Sequence, residues 1–83
     1  MAITHPELET VAVLLARSDW QAAHRIVQQD EDSPLACWAH GIVHLMEGDV
    51  ANARYWYRRA GRPFPGAGAC TDEIAALREA LQR

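Results

Sequence analysis

Lysine is absent from this chain. All eight basic residues are arginine, set against eleven acids, and the resulting net charge of −3 with neutral histidines excludes a nucleic-acid binder driven by bulk charge. Long apolar runs are missing as well. The longest, Val11 to Ala16, is far short of the ~20 residues a membrane-spanning helix needs, and the N-terminus lacks the basic-then-apolar layout of a secretory signal. The expectation is a cytoplasmic protein with no membrane partner. Cysteine is scarce: Cys37 and Cys70 follow no spacing pattern and read as free thiols in a reducing compartment. Serine is just as scarce, and Ser18 and Ser33 both stand where helices are capped, which leaves no serine for a nucleophile. A nucleophile elbow, a phosphate-cradling glycine loop, paired metal-binding motifs and a dinucleotide fingerprint are all missing. No enzyme and no cofactor are expected.

What is present is a folded core. Apolar residues make up 49% of 83 residues, too many for a disordered chain and the right amount for one small domain. A chain of this size buries only roughly 60–65% of its unfolded surface, so its stability depends on economical packing.

The chain punctuates itself into five helices. Thr4-His5-Pro6-Glu7 is a capping box with proline in the first turn, and Leu8, Val11, Ala12, Leu14 and Leu15 follow as an apolar stripe, predicting a helix over 6–17. Ser18-Asp19-Trp20-Gln21 repeats that grammar, and Trp20, Ala23, Ile26 and Val27 share one side of a second helix. Asp30-Glu31-Asp32 reads as a solvated linker, since it lacks the glycine and distal glutamate of a calcium loop. Ser33-Pro34 opens a third helix that Gly48 stops at Glu47, and Asp49 caps a fourth from Val50 to Ala60, which Gly61 and Pro63 terminate. Helices joined by so short a turn lie side by side. The Gly61–Cys70 stretch is too rich in glycine and proline to be helical, and Thr71-Asp72-Glu73 is the expected cap of a last helix carrying Ile74, Leu77 and Leu81.

Two units of the chain look alike. S-D-W-Q-A-A in the first hairpin (6–29) aligns with G-D-V-A-N-A in the second (33–62), and Ala23 matches Ala53 at a spacing of 30 residues. With Gly41, Ala53, Tyr57, Ala60 and Pro65 in place, residues 33–65 resemble a tetratricopeptide repeat, in which small residues let paired helices approach closely. The period is shorter than that family's, and Cys37, His40 and His44 stand where it prefers larger apolar residues. The fold class that follows is all-α: two stacked antiparallel tetratricopeptide-like hairpins and a closing helix over 71–83. The resemblance implies a non-enzymatic protein–protein interaction module. Its concave face would be lined by Leu35, Trp38, Ile42, Leu45 and Met46, and would hold a protein, a peptide or helix, or a second copy of the chain.

The third and fourth helices carry a second expectation of a different class. Cys37, His40, His44 and Glu47 form one stripe. Cys37 and Glu47 are about 15 Å apart along the axis at 1.5 Å per residue, so one ion can take at most His40, His44 and Glu47. The alternative to partner binding is therefore a small-ligand or metal-binding site, or an acid–base site, between these helices, built on His40, His44, Glu47 and Tyr57. Arg54 and Arg58, continued by Arg62, would meet an anionic group. Against that stands the reading of His40 and His44 as buried structural groups, each hydrogen-bonded to Tyr57 or Asn52 and holding no metal. The arginines otherwise read as a solvated helix face, with Glu47, Asp49 and the acidic linker as nearby partners.

Overall fold

In the computed structural model, which describes residues 2–83, the protein is all-helical: α1 His5–Ala16, α2 Trp20–Val27, α3 Pro34–Glu47, α4 Val50–Ala60 and α5 Cys70–Leu81. No strand occurs among the described residues. None of the helices is long and apolar enough to cross a membrane.

Most of the expected helix boundaries follow from their caps. Thr4 Oγ1 accepts from the Glu7 amide at 3.2 Å, and Glu7 Oε1 accepts from the Thr4 amide at 2.9 Å, so two of the free N–H groups of α1 are satisfied reciprocally. Asp19 and Asp49 cap α2 and α4 through the Ala22 and Asn52 amides, each at 3.2 Å. Gly48 closes α3 at φ 90° and Gly61 closes α4 at φ 72°, a left-handed geometry that costs glycine nothing.

Three boundary readings change. Ser18 serves as the left-handed joint between α1 and α2, at φ 62°, and Asp19 alone does the capping. Ser33 holds the N-cap position of α3 without a side-chain cap bond. The last helix begins at Cys70 behind Ala69, so Thr71 lies inside it and caps nothing. The acidic linker is not wholly solvated either. Asp30 is buried, and its carboxylate accepts from the backbone amides of Ile3, Asp32 and Ser33 at 3.0, 3.1 and 3.0 Å. Burial alone would raise its pKa; the hydrogen bonds from Ser33, Ile3 and Asp32 outweigh burial and hold it at about 2. One carboxylate thus ties the N-terminus to the start of α3.

The core is built around α3, which packs against all four other helices. Ten consecutive residues of α3, Ala36 to Leu45, are buried. Its contact with α4 is the most extensive between any two helices, and one point of it is close for a local reason. A Cβ placed on Gly41 would lie 2.6 Å from Cδ2 and 2.7 Å from Cε2 of the Tyr57 ring. Only glycine leaves room for that ring.

Tyr57 is held from its other end, where its hydroxyl donates to Glu73 Oε1 at 2.6 Å; the Trp38 indole N–H donates to the same oxygen at 2.9 Å. This knot fastens α5 over α3 and α4. Tyr57 therefore has no freedom to back away from a new methyl group. We expect Gly41→Ala to destabilise the fold by about 1–3 kcal/mol through overpacking, despite alanine's better helix propensity. Thermal unfolding followed by circular dichroism would show this as a midpoint lower by roughly 4 °C or more. Gly68→Ala, where nothing lies within 4 Å of the added carbon, should leave the midpoint in place.

Candidate metal centre

The face of α3 opposite the Glu73 knot carries imidazoles where a core would normally carry aliphatic side chains. His40 and His44, one turn apart, are 3% and 6% exposed. Both meet His24, a half-buried residue of α2. The His24 and His40 ring centroids are 5.0 Å apart and those of His24 and His44 5.3 Å; His40 and His44 stack at 5.0 Å. One ligand nitrogen from each of the three rings lies within 4.8 Å of the other two. A tetrahedral ion with ~2.0–2.1 Å bonds to imidazole wants its donors about 3.3 Å apart. Reaching that spacing would require the nitrogens to close by about 1.5 Å or less.

The surroundings orient the rings. His44 Nδ1 is 2.8 Å from Glu47 Oε1. An ionised carboxylate only accepts, so in the neutral ring Nδ1 carries the hydrogen and Nε2 keeps the lone pair. Metal-binding imidazoles commonly give the N–H that faces away from the ion to a carboxylate in this way. His40 lies flat against Trp56 of α4, with centroids 3.8 Å apart and planes 9° from parallel. Its Nδ1 is buried and has no hydrogen-bond partner among the described residues. A buried ring nitrogen without a partner costs roughly 1–3 kcal/mol. Ordinary core packing does not require that cost.

Burial pushes the His40 pKa down to about 3, and His44 and His24 push it the same way; burial, then His44, also lowers His24, with Glu47 opposing. At neutral pH both rings are thus uncharged donors, and no proton has to leave them before a cation binds.

Of the residues expected to form a site, His40 and His44 lie side by side, and Glu47 meets His44 alone. Tyr57 does not join them, because its hydroxyl is committed to Glu73. Nor do Arg54 and Arg58, which line a separate cleft with Tyr57, Arg62 and Phe64. His40 and His44 make no hydrogen bond to Tyr57 or Asn52; they meet Trp56 and His24. Cys37 turns away: its thiol donates to the Glu31 carbonyl at 3.2 Å, and burial raises its pKa, which keeps it protonated. Arg59 fixes the same carbonyl with bonds of 3.2 and 2.6 Å from Nε and Nη2.

The expected partner face is largely interior. Trp38, Ile42 and Leu45 belong to the core, where α1 and α5 lie against α3, while Leu35 and Met46 are half-buried. Both cysteines are free.

His24 was missed by the sequence reading, although a signal for it exists. Trp20, Ala23, His24 and Val27 stand at i, i+3, i+4 and i+7, so one histidine occupies a core position of α2.

No family model, curated protein or solved structure matches the chain.

A neutral buried His40 makes stability depend on pH with a definite sign. The unfolded chain takes up a proton at this residue near ~6.5 and the folded chain only near 3, so stability falls as pH falls through that window and is flat above it. Between pH 7 and 4.5 the contribution is roughly 2–3 kcal/mol. Urea unfolding of the metal-free protein at the two pH values measures it, and His40→Phe, which keeps a ring against Trp56, should lack this part of the slope.

Proposed function

We propose that the protein binds one divalent transition-metal ion, of the class of zinc, copper or nickel, through His24, His40 and His44. The observation that carries this reading is the convergence of three imidazoles from two helices on one point, with their ligand nitrogens within 4.8 Å. Three imidazole nitrogen donors suit zinc, copper and nickel and are a poor set for magnesium or calcium, which take oxygen. Glu47 acts behind His44 as the orienting carboxylate, and Trp56 backs His40. With three protein ligands, a tetrahedral ion keeps one position for water or an outside ligand.

The ion would join α2 to α3 and contribute to stability by mass action. Held at 100 times its dissociation constant, zinc adds about 2.7 kcal/mol, which is a rise of roughly 10–20 °C in midpoint for a domain of this size. We expect that rise in wild-type protein stripped with chelator and then reloaded, and its loss in His24→Gln and His44→Gln. His24 is the milder test of folding because it is only half-buried. A midpoint indifferent to zinc, copper and nickel would refute the reading.

A second reading, association with a protein or peptide partner or with a second copy of the chain, is favoured by one feature. An open groove of about 510 Å³ runs between α1, α3 and α5, lined by Leu15, Leu45, Met46, Cys70 and Ile74 among others. Two of the residues expected on a partner face, Leu45 and Met46, reach this groove. In the self-association form, sedimentation equilibrium should show a mass that grows with concentration and reverts to monomer in Met46→Glu.

A further inference from the structure

The opposite flank of α4 carries a different constellation. Arg54, Arg58 and Arg62 line a cleft of about 210 Å³ together with Tyr57 and Phe64. Among the described residues, none of the three guanidinium groups has a carboxylate within ion-pair distance; Arg59 and Arg83, by contrast, are paired with Asp32 and Glu79. Tyr57, which lines the cleft, gives its hydroxyl hydrogen to Glu73 Oε1, an oxygen that also accepts from the Trp38 indole.

Two of the three guanidiniums are held in place by rings from other parts of the chain. Arg62 lies over the Trp38 ring of α3, 3.5 Å from its centroid, and Arg54 lies over Phe64 of the loop before α5, at 4.3 Å. A guanidinium stacked by its face keeps its edge, with its N–H donors, free for a ligand. Arg58 stands between them, one helical turn beyond Arg54. Its place in the last turn of α4 is favoured by the helix dipole, but that does not account for Arg54 and Arg62, and like charges four residues apart repel. A multiply charged anion in the cleft removes that repulsion.

We infer that this cleft is an oxyanion site for a phosphate group, carried by inorganic phosphate or by a small phosphomonoester. Three guanidinium donors exceed what a carboxylate can accept bidentately, and they match the three free oxygens and the greater charge of a phosphate. The site is independent of the histidine cluster, with which it shares no residue.

The probe is inorganic phosphate, titrated into the full chain by calorimetry with chelator present, so that no metal-bound phosphate at the histidines contributes. We expect saturable binding with one site, weakened roughly ten-fold or more in the Arg58→Gln/Arg62→Gln double variant. Arg25→Gln, on α2, should leave it unchanged. Glycerol phosphate run in parallel separates the sources: binding tighter than inorganic phosphate assigns the site to a monoester, and equal or weaker binding assigns it to the free ion. The variants replace exposed side chains, and far-UV circular dichroism checks that they are folded. Absence of saturable binding up to about 10 mM phosphate, or equal binding by the wild type and the double variant, would overturn the inference.

Discussion

The structure depends on the close approach of α3 and α4 at Gly41. Because residue 41 has no Cβ, the Tyr57 ring lies directly on the backbone of α3, with the Ala53 carbonyl alongside. That contact sets the height at which α4 rides over α3, and both flanks of the molecule follow from it. On one flank the Tyr57 hydroxyl reaches Glu73 and pins α5. On the other, Trp56, the preceding residue, comes down flat on His40. A larger residue at 41 would disturb the α5 knot and the histidine cluster together.

The histidine cluster is where local rules give way. Elsewhere the chain largely follows them: side-chain caps start α1, α2 and α4, glycine closes α3 and α4, and an apolar residue stands at nearly every core position. At 24, 40 and 44, positions that could hold leucine or alanine hold imidazole, with one ring nitrogen left unpartnered and two rings kept neutral by burial. Departures of this kind are expected at functional sites, where stability is given up for chemistry. A cation bound there would convert the unfavourable packing of three nitrogen donors into coordination bonds, and would give the carboxylate of Glu47 behind His44 a role.

The helices themselves were legible because their signals are local. Thr4 to Glu7, Asp19, Pro34, Gly48-Asp49 and Gly61 each determine a boundary within a few residues of sequence. Long-range partners were not. His40 and His44 announce themselves as an i, i+4 pair, whereas His24 meets them only because α2 packs on α3. Tyr57 was expected beside the histidines, whereas its hydroxyl reaches across to Glu73 of α5, a partner 16 residues away in sequence. The apolar stripe of α3 looked like a partner face because periodicity reports burial without saying what does the burying. Asp30 was hidden for the opposite reason, since a run of three acids reads as solvated while its first member collects three backbone amides.

The measurement that tests the account most directly is zinc K-edge X-ray absorption on the protein loaded with one equivalent of zinc at neutral pH. The account predicts a first shell at ~2.0–2.1 Å with three imidazole nitrogens, their ring scattering visible beyond it, and one further light atom. His24→Gln should reduce the imidazole count by one. A shell of oxygens alone, or an imidazole count that His24→Gln leaves unchanged, would contradict a centre formed by His24, His40 and His44.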